Sequence, residues 1–168
     1  MYDWIISDTH FYHDNIIKYA GRPQNHVELM LRNWRNFVMP DDTVLHLGDV
    51  LMNREELWKG IGWLPGKVSV LSTGNHDEPH KKQWMQRNWD WKFIPEFTIE
   101  YRGYDILFSH YPEETLPPRS INVHGHIHEK PDPSPLHINV SIERMDYRPM
   151  KLREILDKRI GVLNGINN

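Results

Sequence analysis

The sequence predicts one mixed α/β layer domain, and three observations carry that prediction. Short apolar runs alternate with helical patterns in the first half of the chain. The second half is mostly strand-like. Five of the apolar runs end in polar motifs rich in Asp and His. Alternating strand and helix puts sheet inside and helices outside. A length of 168 residues fits a single domain, 1–168, able to bury a real core. No internal repeat or change of composition divides it.

The elements follow in order. "DWIIS" (3–7) is a short apolar run and reads as a buried strand leading into "DTH". Val27, Met30, Leu31, Trp34, Phe37 and Val38 fall at helical spacing, with Asn25 as cap and Pro40 closing the helix. "TVLHL" (43–47) is a second strand ending in "GDV". A helix is expected from Asn53 to Leu64, with Glu55 and Glu56 in the first turn, where the helix dipole favours acids. "KVSVLS" (67–72) is a third strand ending in "TGNHD", and Pro79 opens a short basic helix over 79–88. "EFTIEYRGYDILFSH" (96–110) reads as a hairpin around Arg102-Gly103. "SINV" (120–123) is a strand running into "HGHIH", and "PDPSP" (131–135) is a surface loop. "LHINVSIE" (136–143) is a further strand. An amphipathic helix from Met150 to Ile160 closes the pattern.

Composition narrows the function classes. Lys plus Arg number 20 against 23 Asp plus Glu, a net charge of −3. No global basic field is present to hold a nucleic-acid backbone, so nucleic acid is not the expected partner. There is no Cys, which removes disulfides, thiolate metal sites and a Cys nucleophile, and suits a cytoplasmic protein. "MYDWIISD" lacks the basic start and apolar stretch of a signal peptide, and no segment is apolar enough to span a bilayer.

The polar motifs at the strand ends carry the chemistry. In sheet-based α/β folds, ligands bind beyond the carboxyl ends of strands. Five neighbouring strand ends would gather Asp8, His10, Asp49, Asn75, His110, His126 and His128. Imidazole with carboxylate suits Zn, Fe, Mn and similar divalent ions. Seven ligands exceed the need of one such ion and fit two ions bridged by a carboxylate. Asp8 with His10, and His126 with His128, are each one residue apart, so in an extended chain each pair faces the same way. Gly48, Gly74 and Gly125 each precede one of these residues or His76, and glycine allows a tight turn and close backbone approach. His124 shares the parity of His126 and His128 and is expected to orient a ligand. His46 reads as structural. His26, His80 and His137 read as surface residues, and Lys81, Lys82 and Arg87 read either as the rim of the site or as a solvated helix face. His13 is placed within reach of substrate or a ligand, and Arg22 reads either as a phosphate contact or as a solvated side chain.

"DTH … GD … GNHD … SH … GHIH", in that order, resembles the calcineurin-like metallophosphoesterases, and "DTHFYHDNII" followed by "RP" is similar to short bacterial and phage members. The resemblance runs from Asp8 to His128. It implies a four-layer αββα sandwich of mixed sheets with a dinuclear site at the strand ends. Carried over by motif, Asp8, His10, Asp49 and His128 hold one divalent ion. Asp49, Asn75, His110 and His126 hold the other, with Asp49 bridging. The ions would be Mn, Fe, Zn, Ni or Mg. A hydroxide activated by the two metals would attack phosphorus in line. His76 would protonate or stabilise the leaving oxygen, with Asp77 orienting it. The implied activity is hydrolysis of phosphate esters, phosphodiesters above all, with a small ester such as a nucleotide as substrate. A nuclease of the same family and a non-enzymatic scaffold on the same fold are the competing readings. The low charge argues against the first, and the complete ligand set against the second. Tyr12, where short members often carry Gly, and Ser72-Thr73 ahead of "GNHD" bear on the shape of the substrate pocket and not on the ligands.

Overall fold

In the computed structural model, which describes residues 1–52 and 55–165, two mixed sheets share one apolar core. The first sheet has the order β4-β3-β2-β1-β9. Its strands are β1 (Trp4–Ile6), β2 (Thr43–His46), β3 (Lys67–Leu71), β4 (Lys92–Ile94) and β9 (Met150–Lys151). Neighbours from β4 to β1 are parallel, and β9 runs antiparallel to β1. The second sheet has the order β5-β6-β7-β8: β5 (Phe97–Tyr101) and β6 (Tyr104–Phe108) form the hairpin, and β7 (Ser120–His124) and β8 (His137–Asn139) follow in parallel.

The alternation of side chains along β1 and β2 explains the two cores. Trp4, Ile6 and Val44 face α2 (His26–Phe37) and α4 (Pro79–Asn88), meeting Met30, Trp34 and Met85. Ile5 and Leu45 face the second sheet and meet Ile106, Phe108, Ile121 and Val123. α5 (Leu152–Leu163) adds Leu152, Leu156 and Ile160 to this second core. Trp34 is fully buried, and burial of a large apolar side chain contributes about 1.5–3 kcal/mol. Its indole N–H donates to the Pro65 carbonyl at 2.9 Å, so the polar edge is satisfied as well. The α/β sandwich expected from the resemblance is the architecture of the chain.

Several elements differ from expectation. The helix expected over 53–64 is only α3 (Glu55–Trp58), followed by turns bonded from Ile61 N to Trp58 O and from Leu64 N to Ile61 O. Asn53, its expected start, lies outside the described residues. Gly60 and Gly62 are poor helix residues, and a Cβ at Gly62 would run into the Trp89 ring. The strand expected over 136–143 stops at Asn139 and tightens into a 3-10 turn at Ile142–Arg144. Short β4, two-residue β9 and one-turn α1 (Ile16–Tyr19) were not expected. Asn25 precedes α2 without a side-chain cap bond. His26, His137 and Lys81 are buried, not on the surface. His137 accepts from Ser134 Oγ at Nδ1 and donates from Nε2 to the Glu113 carbonyl.

Candidate metal centre

The C-terminal ends of β1, β2, β3, β6 and β7 meet at one edge of the sandwich. Past β1 and β2 the two chains stay bonded: Asp8 N donates to Gly48 O (3.1 Å), and His10 N donates to Asp49 O (3.0 Å). This pairing carries Asp8, His10 and Asp49 beyond the sheet with a fixed register. The chain leaves extended geometry there. Asp8, His10, Tyr12 and Asp49 all take positive φ, as do His126 and His128. Such conformations cost about 1–3 kcal/mol each for a residue with a side chain. The paired ligands therefore converge through left-handed turns, and not through the strand alternation expected from their spacing.

Glycines bring these loops into contact. Gly48 has φ 108°, a conformation that favours glycine, and a Cβ there would lie 2.8 Å from Gly74 Cα. Gly125 has no positive φ. A Cβ on it would collide with Ser7 Oγ and Asp8 Oδ2. Its use is close approach of the two sheets, not the turn itself. The approach is sealed by Asp8 Oδ2, which accepts from His126 N (2.9 Å) and Ser141 Oγ (3.0 Å).

The side chains then crowd one another. Asp49 Oδ2 lies 3.4 Å from His10 Nε2 and 3.6 Å from His110 Nε2. Asp8 Oδ1 lies 3.9 Å from His10 Nε2. His110 donates from Nδ1 to Leu47 O (2.9 Å), which turns Nε2 toward Asp49 and toward Asn75 Oδ1 at 3.1 Å. The His126 ring lies 5.3 Å from that of His110, and the His128 ring stacks 5.2 Å from that of His10. Asp8 Oδ1 and both His10 nitrogens are buried with no hydrogen-bond partner among the described residues. Buried polar atoms are ordinarily paired. Asp8, His10 and His128 form one group whose ligand atoms lie within 4.8 Å of one another, and Asp8, Asp49 and His110 form another.

The electrostatics agree with that crowding. Burial pushes Asp49 up to about 7; His110 opposes this and the charge of Asp8 adds to it. Burial also works to raise Asp8, but the charges of His110 and His128 outweigh it and hold Asp8 below the usual carboxylate range. His10 is held well below the ordinary imidazole range by burial first and by Arg22 second. Two buried carboxylates lie side by side, and added positive charge would relieve their repulsion. The donor set fits divalent cations, which supply that charge and need unprotonated ligands.

All the expected ligand positions are brought to this edge. Asn75 is exposed, His126 and His128 are partly exposed, and the rest are buried. His76 is half-buried, 5.2 Å from His10, with its N–H donated to Asp49 Oδ1 (2.8 Å) and its carbonyl accepting from Lys81 Nζ (2.8 Å). Asp77 departs from expectation. Its two oxygens accept from the Asp49 and Val50 amides (2.7 and 3.0 Å), so it holds the Asp49 turn and not the His76 ring. His124 donates from Nδ1 to Gly125 O, beside the turn that presents His126, and not to a ligand side chain. His13 sits in the turn after His10, ring centres 5.6 Å apart. His46 is structural: Nδ1 accepts from Gly48 N, and Nε2 faces Thr9 Oγ1 at 3.0 Å.

Ser141 and Glu143 had no place in the sequence reading of the site, and the burial of Arg22 and Lys81 was not expected. Asn139, Ser141 and Glu143 alternate in an otherwise apolar run, and that spacing was the available signal for one shared face. Arg22 and Lys81 carry no comparable local signal.

Comparison with known proteins agrees with this geometry. The chain is 37% identical to an uncharacterised protein of Methanocaldococcus jannaschii over 166 residues, 89% of this chain and 86% of that protein. It is 31% identical to the gene 66 protein of Mycobacterium phage L5 over 84 residues, 46% of this chain and 40% of the phage protein. The crystal structure of a protein of unknown function from Aquifex aeolicus superposes with a TM-score of 0.74 at 30% identity, covering 92% of this chain and 97% of that one. The family model for calcineurin-like phosphoesterases matches residues 4–158, which takes in both sheets and every strand end described above. The chain thus belongs to the calcineurin-like phosphoesterases, a family of metal-dependent hydrolases of phosphoric esters.

Proposed function

We propose that this protein is a dinuclear metal phosphodiesterase acting on small phosphate esters, nucleotides among them. The observation that carries the reading is the position of Asp49 Oδ2 between His10 Nε2 and His110 Nε2, beside the unpartnered Asp8 Oδ1. Asp8, His10, Asp49 and His128 would hold one divalent ion. Asp49, Asn75, His110 and His126 would hold the other. When bound, such a pair supplies charge for the phosphoryl oxygens and acidifies a water at neutral pH.

The chain's own residues do the rest. Burial, then the neighbouring Lys81 charge, holds the His76 imidazole below its ordinary range, so at neutral pH the ring is uncharged and donates one N–H. Placed beside His10, that N–H serves the leaving oxygen as its charge develops. Lys81 grips the His76 and Leu51 carbonyls and pairs with Glu78 at 2.6 Å, fixing the loop that presents the ring. Diester rather than monoester preference is supported by the open mouth: Asn75 is exposed and Tyr111 keeps 44% of its surface beside His126. Tyr111 offers a ring edge against which a nucleobase can rest.

The test is hydrolysis of a chromogenic phosphodiester and the matching monoester by stripped protein reloaded with Mn, Zn, Ni, Fe or Mg. Metal-dependent turnover, faster on the diester and lowered about 10²- to 10⁴-fold in His76→Ala with metal retained, is the expected result. Full activity in that variant sinks the role of His76. Bound ions with no turnover of either ester point to the scaffold reading.

A further inference from the structure

We infer that Arg22 and Glu143 act together as a positioning pair that fixes the tautomer of His128 and the backbone presenting Asp8. This rests on the metal-site reading above and adds two residues to it.

Arg22 follows α1, and its side chain is fully buried. Every nitrogen of the guanidinium is used. Nη1 donates to Thr9 O (2.7 Å), Nη2 to Asp8 O (2.6 Å) and Nε to Glu143 Oε1 (2.8 Å). A guanidinium so occupied is neither solvated nor free to reach a substrate phosphate, which removes both sequence-based readings of Arg22. A buried charge is strongly destabilising unless paired and hydrogen-bonded. Here the pairing partner is Glu143, in the 3-10 turn after β8, with 4% of its side chain exposed.

Glu143 Oε1 has a second contact, His128 Nδ1 at 3.0 Å. A carboxylate oxygen accepts, so Nδ1 carries the proton and Nε2 is left with its lone pair. Nε2 is then the nitrogen left to bind a cation, and His128 forms one ligand group with Asp8 and His10. Carboxylates bonded to the far nitrogen of a ligating His orient the ring and raise its basicity. The same guanidinium also holds the carbonyl of Asp8, a residue in a left-handed conformation that needs a restraint. One cation thereby ties the loop after β1, in the first sheet, to the turn after β8, in the second. Both things it grips present members of one ligand group. A bond that merely cemented the two sheets would not require its carboxylate to end on an imidazole of the site.

Two measurements test the pair. In protein labelled with ¹⁵N-histidine, long-range ¹H–¹⁵N spectra of the stripped and Zn²⁺-loaded forms read the tautomer of His128 directly. Nδ1–H in both is expected, and an Nδ1 without a proton in the stripped protein overturns the inference. Calorimetric titration of Mn²⁺ into stripped wild type, Glu143→Leu and Glu143→Gln gives the second readout, with melting curves to confirm folding. Leu is expected to weaken one of the two ions about 10- to 100-fold and leave the other unchanged. Gln, which keeps an acceptor oxygen, should recover most of the loss. Wild-type affinity for both ions in Glu143→Leu overturns the pair. If that variant does not fold, the wild-type tautomer still decides. A wild type that binds no ion, yet shows the Nδ1–H tautomer, overturns the metal-site reading on separate grounds.

Discussion

The two halves of the site are built differently. Asp8 and His128, beside His10, are braced by side chains from elsewhere in the chain: Ser141 on Asp8, Glu143 on His128, Arg22 behind both. On the other side, His110 is oriented by a backbone carbonyl, His126 packs on Tyr111, and Asn75 is exposed. The difference teaches that preorganisation here is unequal. The braced half has its geometry set before any ion arrives, and the open half faces solvent, where substrate must enter. An ion held by the first half is expected to be the tighter and one held by the second the more exchangeable.

Asp49 joins the halves, and its loss is the most severe way to break the comparison. Asp49→Asn removes the charge between His10 and His110. Loss of several kcal/mol of electrostatic stabilisation corresponds to about 10³-fold or more in kcat/KM. Steady-state kinetics on the diester checks this, and both Mn²⁺ sites should weaken together in calorimetry. A variant that keeps one tight ion and most of its turnover would make the halves independent.

Single substitutions in each half sharpen the comparison. His128→Ala should weaken the tighter ion about 10²-fold, some 3 kcal/mol. His126→Ala should weaken the other ion and leave the tighter one within about threefold. Equal losses from both, read by Mn²⁺ titration, would erase the asymmetry.

A further test comes from acid. His46 supports the braced half through Thr9, which lies between Asp8 and His10. Burial holds its pKa down to about 3 against an ordinary value of 6.5. Between those values the unfolded chain binds a proton that the folded chain does not. The stability tied to His46 is therefore intact above pH 6.5 and falls as pH drops toward 3, by a few kcal/mol in order of magnitude. Urea melts from pH 4 to 7 should show a shallower acid loss in His46→Gln than in wild type; equal slopes would remove His46 from the account.

Much of this was legible in the sequence because strands of three to five apolar residues ending in Asp or His mark both the sheet and its edge. β1, β2, β3, β6 and β7 were readable for that reason. Leu57, Trp58, Ile61 and Leu64 keep helical spacing and so predict a helix after Met52, although Gly60 and Gly62 disfavour one and Gly62 gives way to the Trp89 ring. β9 has two residues, too few for any period. The Asp and His motifs are local and readable, but the left-handed conformations of Asp8, His10, His126 and His128 belong to loops packed against one another and leave no local signal. Arg22 and Glu143 are 121 residues apart, and nothing local in either announces the other.

That separation has a consequence for how the molecule is made. Arg22 to Glu143, Asp8 to Ser141 and Asp8 to His126 span 121, 133 and 118 residues, and all three bonds converge on one corner. A ribosome delivers Asp8, His10 and Asp49 early and Glu143 last among these groups. A nascent chain halted just after His128 carries all seven candidate ligands yet lacks Ser141 and Glu143, whose bonds brace Asp8 and His128. The bonds that brace this corner therefore close only when residues far apart in the sequence are all present.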